Sequence, residues 1–189
     1  MKRWIYLFRL FQNLRIIPDS DQILKLRNLT LPVALKDFAQ RVFDEVSDHG
    51  MTSALGIQVC GDSDTFVQYV AILPGSGDSL FNEVRATGVD VYVTSDLRHH
   101  PVTDAIEQAR YEARMRAQGI MLGHGMAGES HVRPCFINTP HAAIESMWFN
   151  YAIDDVPAAI EQATGARPEV EWFHDTTDPW TLSITAHRD

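Results

Sequence analysis

The order of hydrophobic patterns over residues 55–118 restricts this chain more than any other feature of its sequence. Two apolar runs with strand spacing, residues 55–60 and 66–73, come first. A short helical pattern, a buried run over residues 89–94 and a charge-rich helix over residues 103–118 follow them. Strands that alternate with helices in this way are typical of an α/β fold. The sequence therefore predicts an α/β domain.

Similar patterns lie on both sides of this segment. Apolar residues from Leu35 to Val46 recur every three or four positions, which predicts a helix with one buried face. Residues 119–133 contain four glycines and no period, which indicates a loop. The rest of the chain is predicted to hold a strand over 134–138, helices over 142–151 and from Asp154 or Asp155 to Gly165, and closing strands over 170–173 and 180–185.

Charge divides the chain near residue 30. The first 30 residues carry six basic and two acidic side chains, whereas the remaining 159 carry ten basic and 23 acidic. A chain with a net charge of −9 lacks the basic face that nucleic-acid binding requires. Residues 1–30 are predicted to be a basic, apolar leader that docks on its own protein or a partner subunit, with contact to anionic lipid as the alternative.

Cysteine content and hydropathy indicate a cytoplasmic protein without a membrane span. Cys60 and Cys135 are far apart in the sequence and form no CxxC pair, so two reduced thiols are expected. No apolar run reaches the roughly 18–20 residues that a membrane helix needs.

A glycine-rich turn follows the second predicted strand and precedes a helix. Its backbone N–H groups at Gly75, Ser76, Gly77 and Ser79 are candidates for binding an anion. The segment contains no lysine and does not match the phosphate-binding loop pattern. A tight turn that packs the helix against the sheet is the alternative explanation of the same glycines.

Histidines paired with acidic residues are the candidates for metal binding. His141 and Glu145 are four residues apart, so on a helix they share one face and can bind one metal ion. The pairs His100/Asp104 and His174/Asp178 have the same spacing, and spacing alone does not choose among the three.

Residues 96–100 follow a predicted strand at the end where ligands bind in open α/β sheets. This segment concentrates a carboxylate at Asp96 and an imidazole at His100, both of which are catalytic candidates. The glycine-rich loop adds three further possible ligands, which are His124, Glu129 and His131.

Four motifs, taken in chain order, resemble those of the NIF-three-like family of dinuclear-metal proteins, also known as GTP cyclohydrolase 1 type 2 homologs. Residues 91–100 (VYVTSDLRHH) resemble the family's T-G/S-D-x-K/R-x-H signature, and residues 75–80 (GSGDSL) resemble its glycine-rich turn. Residues 141–145 (HAAIE) and 177–180 (TDPW) are similar to its final H-x-x-x-E element and its C-terminal tail.

The resemblance implies a mixed β-sheet flanked by helices, a homo-oligomer such as the family hexamer, and a metal-dependent hydrolase that acts on a small molecule. It implies that His141 and Glu145 bind one or both of two divalent metals. Asp96 and His100 would line the same cleft and handle protons or phosphate.

Two family motifs are missing from this chain. The family's early His-His-Pro and H-T-x-x-D elements, which supply three of five metal ligands, do not occur in their expected places. The resemblance thus implies that residues 31–189 correspond to the C-terminal half of a family member, with the N-terminal half missing, an incomplete metal site and a loop insertion at about 110–133. Two alternatives stay open, namely a non-catalytic oligomerisation or regulatory module and a phosphate-ligand binder that uses residues 75–79.

Overall fold

A computed structural model describes residues 25–48, 56–122, 128, 130–147, 149–173, 175, 178–180, 182 and 184. Within these residues, five strands form one sheet. The strands are β1 (Lys25–Ala34), β2 (Gln58–Cys60), β3 (Phe66–Ser76), β4 (Val91–Ser95) and β5 (Cys135–Thr139). The helices are α1 (Leu35–Asp48), α2 (Phe81–Thr87), α3 (His99–Ala117), α4 (His141–Ser146) and α5 (Phe149–Thr164), and a 3-10 turn over Asp78–Leu80 precedes α2.

The sheet has the order β1-β3-β4-β5-β2 and is mixed. Its three central strands are parallel, with Ile72 opposite Val93 and Val93 opposite Ile137. The edge strands β1 and β2 run antiparallel to their neighbours. This arrangement confirms the predicted α/β class and the mixed sheet flanked by helices. No helix among the described residues is long and apolar enough to cross a membrane.

Helices cover the sheet on both faces, and the side chains of the central strands alternate between them. On β4, Val91 and Val93 pack with α1 and with Ile144 of α4, whereas Tyr92 packs on the other face with α2 and α3. Every residue of β4 is buried, as expected for a central parallel strand that is covered on both sides.

The start of the long helix differs from the sequence prediction. We expected a polar turn over residues 96–101 and a helix from residue 103, but α3 begins at His99. Pro101 therefore lies in the first helical turn. Proline is tolerated there because the first N–H groups of a helix have no partner within it.

Two further predictions near the C-terminus were wrong. Asp154 and Asp155 do not cap a helix, because α5 begins earlier and both side chains are exposed along its length. Residues 170–173, all of which are described, form no strand; Trp172 instead stacks on Phe149 of α5 with ring centroids 5.9 Å apart. Of the other predicted closing strand, the described residues 180, 182 and 184 are not in a strand, and the rest lies outside the described residues.

The predicted leader lies mostly outside the described residues, which begin at Lys25. Strand β1 runs through residue 30, the predicted end of the leader, and pairs with β3 over residues 25–28 and again at Val33 and Ala34.

The two cysteines are expected to differ in reactivity. Cys135 is 1% exposed, and burial raises the pKa of its thiol to about 11. Cys60 is half-buried, and burial raises its pKa above the ordinary value as well. Since the thiolate is the reactive form, we expect a disulfide reagent to modify Cys60 at least about tenfold faster than Cys135 in the native protein. Mass spectrometry of peptides after timed labelling measures both rates, and equal rates would contradict the expectation.

Candidate functional site

The carboxyl ends of three parallel strands meet at one edge of the sheet. Strand β3 ends at Ser76, β4 at Ser95 and β5 at Thr139. The chain after β4 supplies Asp96, and the chain after β5 enters α4 at His141. Ligands of open α/β sheets bind at this edge, which makes it the candidate location of a functional site.

Asp96 turns sharply out of β4. Its φ of 54° lies in the left-handed region, which a side chain other than glycine seldom adopts and which aspartate tolerates better than most. The following residue is held in place because the Leu97 N–H donates a 3.1 Å hydrogen bond to Asn138 Oδ1 on β5. This turn brings the Asp96 carboxylate to the end of the neighbouring strand.

Asp96, His141 and Glu145 form a line of three side chains, which we call the His141 cluster. Asp96 Oδ2 lies 2.6 Å from His141 Nδ1, and Glu145 Oε1 lies 2.9 Å from His141 Nε2. The second contact joins successive turns of α4, as the four-residue spacing predicts. The imidazole is therefore held between two carboxylates.

Gly75 allows β3 to approach this cluster. Its φ is +95°, and a Cβ atom added there would lie 3.0 Å from Glu145 Oε1. A larger residue would therefore be strained and would also press on the Glu145 carboxylate.

The two carboxylates favour the protonated form of the imidazole. Partial burial is the largest single influence and lowers the pKa of His141, but Asp96 and Glu145 together outweigh it and raise the pKa above 6.5. The three side chains remain 40%, 54% and 53% exposed for His141, Asp96 and Glu145 respectively, so cations have access to them. When the imidazole is protonated, each ring nitrogen can donate a hydrogen bond to one of the two carboxylates.

His141 and Glu145 also fit as two ligands of one divalent metal. Neighbouring ligand atoms about 2.1 Å from a metal ion are roughly 3.0 Å apart in octahedral geometry and roughly 3.4 Å apart in tetrahedral geometry, so the 2.9 Å between Nε2 and Oε1 is nearer to the octahedral value. Asp96 contacts the opposite ring nitrogen and cannot reach the same point. Within the described ranges, no group of three or more His, Cys, Asp or Glu side chains is placed to hold a metal ion.

A cavity of about 390 Å³ opens beside the cluster. It is lined by residues of strands β2 and β5, by Asp96 after β4, by the start of α4 and by residues 178–180. Its polar and aromatic side chains include those of Gln58, Asp96, Asn138, His141, Asp178 and Trp180.

Comparison with known proteins places the chain in a family. The model of Duf34/NIF3 (NGG1p interacting factor 3) matches residues 7–178. This chain belongs to the Duf34/NIF3 family. The match begins within the predicted leader, and it confirms the resemblance that the four motifs indicated.

Relatives and solved structures agree with this assignment. The chain is 31% identical to the GTP cyclohydrolase 1 type 2 homolog of Streptomyces coelicolor over 84% of this chain and 46% of the relative. It is 30% identical to that of Mycobacterium tuberculosis over 91% of this chain and 37% of the relative. A Bacillus cereus protein related to NIF3 has the same fold, with a TM-score of 0.59 and 21% identity over 85% of this chain and 36% of that one. The chain thus spans less than half the length of these proteins.

The other residues singled out in this Duf34/NIF3 chain lie in different places. His100 is in the first turn of α3, where its ring centroid is 5.3 Å from that of His99, and it does not line the cavity in the described part of the chain. His131 precedes β5 and so lies at the opposite edge of the sheet from His141. The possible ligands His124, Glu129 and His174 lie outside the described residues.

The predicted anion-binding turn is closely bonded to the sheet. The Gly77 N–H donates to the Ser95 carbonyl at 3.2 Å, and the Gly77 carbonyl accepts from the Tyr92 hydroxyl at 3.1 Å. The carbonyl of Gly75 accepts a 2.8 Å hydrogen bond from the Thr94 hydroxyl. Anion binding at Gly75, Ser76, Gly77 and Ser79 stays a prediction, and these bonds are those of a packed turn.

Sequence reasoning gave no role to Gln58, Asn138 and Trp180, which line the cavity. Gln58 and Asn138 are polar residues within strands, and nothing in their local pattern distinguishes them. Trp180 stood in the TDPW motif, where it contributed to the family resemblance but received no role. A large apolar residue next to a proline turn was the one available signal.

Proposed function

We propose that this chain supplies His141 and Glu145 as two ligands of a divalent-metal site that hydrolyses a small-molecule substrate. The observation that supports it is the line of Asp96, His141 and Glu145 at the carboxyl edge of the sheet. Family membership and the 2.9 Å separation of the two ligand atoms support the same proposal. A bound divalent metal would activate water and polarise a substrate oxygen.

Asp96 acts as a positioning residue in this proposal. A carboxylate only accepts hydrogen bonds, so His141 Nδ1 carries the proton that faces Asp96. With that proton fixed, Nε2 is the nitrogen whose lone pair is available beside Glu145. Histidine ligands in proteins are commonly oriented by a carboxylate in this way. Asp96 thus selects the tautomer and holds the ring in place.

The remaining ligands come from outside the described residues. Two ligands bind a divalent metal weakly, because each missing ligand reduces the binding free energy. The cluster is about half exposed, so a second subunit or a further polypeptide segment has room to approach it. A homo-oligomer would supply such a partner. No nucleic-acid partner is proposed for this acidic chain, and the free cysteines Cys60 and Cys135 favour a cytoplasmic location.

Metal content tests this proposal. Purified protein is dialysed against zinc or manganese, and its metal content is measured by mass spectrometry. The measurement is repeated after the protein has been treated with chelator. We expect His141→Ala to lose most of the bound metal and Asp96→Asn to weaken binding by about 10- to 100-fold. His99→Ala is the matched control, since it removes an exposed histidine outside the cluster, and its metal content should equal that of the wild type.

Equal metal content in the wild-type and His141→Ala proteins would overturn the proposal. A wild-type content below roughly half an equivalent per chain at saturating metal would do the same, because even a weak site fills when the metal concentration is far above its Kd.

A further inference from the structure

The cavity beside His141 has an aromatic wall that metal binding does not use. Trp180 lines the cavity and is 65% exposed. Its backbone N–H donates a 3.0 Å hydrogen bond to Asp178 Oδ1, which fixes the turn through Pro179. A large aromatic side chain that is held in an anchored turn beside a cavity can offer its ring face to a flat ligand.

Two amide side chains from neighbouring strands also line the cavity. Asn138 Oδ1 accepts the Leu97 N–H, so the orientation of the Asn138 amide is fixed. Asn138 Nδ2 then donates a 2.9 Å hydrogen bond to Gln58 Oε1. Through this chain of bonds the orientation of the Gln58 amide is fixed as well.

The Gln58 amide nitrogen can donate a hydrogen bond to a ligand. Gln58 Nε2 has no hydrogen-bond partner within the described part of the chain, and the side chain is exposed on the edge strand β2. Its natural partner is an acceptor atom, such as a carbonyl oxygen or an unprotonated ring nitrogen. Two carboxylates, those of Asp96 and Asp178, line the same cavity beside one imidazole, that of His141, so without a metal ion this lining favours an uncharged group over an anion.

We propose that this cavity binds a flat, uncharged nitrogen heterocycle, with the face of the ring on Trp180 and an acceptor on its edge at Gln58 Nε2. The cavity of about 390 Å³ is within the size range of small-molecule sites. The inference names the substrate class of the site proposed above and rests on that proposal for its catalytic meaning. Ring binding itself needs no metal, so the two can be tested separately.

Inosine is the first probe, since it is flat, uncharged and carries a ring carbonyl. Binding is measured by calorimetry or ligand-observed NMR at millimolar concentrations, once with the metal-loaded protein and once in the presence of chelator. We expect binding in both conditions. Trp180→Ala should weaken it by about 10- to 100-fold, as for other stacking residues, while Trp180→Phe should retain most of it.

Matched controls distinguish specific ring recognition from nonspecific binding to exposed apolar side chains. Phe173→Ala removes a ring that is 76% exposed and does not line the cavity, so it should leave inosine binding unchanged. Gln58→Glu replaces the donor with a carboxylate and should weaken binding by about tenfold. Uridine should bind more tightly than 5,6-dihydrouridine, which keeps both carbonyls but loses the flat aromatic ring.

Several results would overturn the inference. These are no inosine binding in either condition, equal weakening by Trp180→Ala and Phe173→Ala, or equal binding of uridine and dihydrouridine. Inosine binding with chelator present, together with unchanged metal content in His141→Ala, would uphold ring recognition while removing the metal proposal. Loss of metal in His141→Ala together with no inosine binding by the wild type would uphold the metal proposal and overturn ring recognition.

Discussion

Replacing Gly77 with alanine is expected to lower the free energy of unfolding by about 3 kcal/mol. The added Cβ atom would lie 2.2 Å from Thr94 Oγ1 and 2.3 Å from the Tyr92 hydroxyl oxygen, far inside van der Waals contact. Both side chains are fully buried, and each donates a hydrogen bond to the turn itself. Neither can move away without losing that bond. Urea denaturation followed by circular dichroism measures the change.

Gly119→Ala is the matched control for this substitution. No atom lies within 4 Å of a Cβ added at Gly119 among the residues described, but its φ of +84° disfavours alanine by about 1 kcal/mol. The control therefore measures backbone strain without crowding. The Gly77 variant should lose clearly more stability than this control, and an equal or smaller loss would show that the turn relaxes around the new methyl group.

The expected effect at Gly77 also shows why the turn was ambiguous in the sequence. Glycines between a strand and a helix are compatible both with anion binding and with close packing of the helix. The two explanations differ in whether buried side chains occupy the space beside the glycine. The side chains that do so, Tyr92 and Thr94, are distant from Gly77 in the sequence. The local pattern holds no information on that contact.

Much of the fold could be predicted because its central elements have strong patterns. Strands β3 and β4 are nearly continuous apolar runs, and α1 has a regular buried face. Strand β1 was missed because it is an edge strand that contains Pro32 and has exposed residues at 30–32, which weakens its pattern. The extended conformation of β1 therefore depends on its hydrogen bonds to β3 more than on its own sequence.

The candidate site could be predicted only in part. His141 and Glu145 became candidates because four residues on a helix bring two side chains together, and the family resemblance selected this pair. Asp96 became a candidate because it follows a buried strand. Spacing could not choose His141 over the other two histidine–acid pairs, since each pair looks the same locally. The contacts with Gln58, Asn138 and Trp180 depend on how separate elements meet, so they appear only in the folded chain.

Arg116→Ala is expected to lower the free energy of unfolding by about 3–5 kcal/mol. The side chain is 1% exposed and lies 3.8 Å from the Glu112 carboxylate. Its Nη1 donates to the Leu122 carbonyl at 3.2 Å and its Nη2 donates to the His131 carbonyl at 2.8 Å. The guanidinium therefore joins both ends of the glycine-rich segment to α3. Removing it leaves these two carbonyls without their partner and opens a void in place of a large buried side chain.

Arg110→Ala provides the comparison, because Arg110 lies on the same helix but forms an exposed 2.6 Å ion pair with Glu107. Exposed pairs contribute little, so this variant should lose at most about 1 kcal/mol. Arg116→Lys should not restore the wild-type stability, since one ammonium cannot replace the planar guanidinium at two carbonyls and a carboxylate. Hydrogen exchange at residues 120–122 and 130–132 should accelerate in Arg116→Ala and stay unchanged in Arg110→Ala. If both variants lost similar stability, the two carbonyls would be satisfied by water and Arg116 would not be what holds the segment.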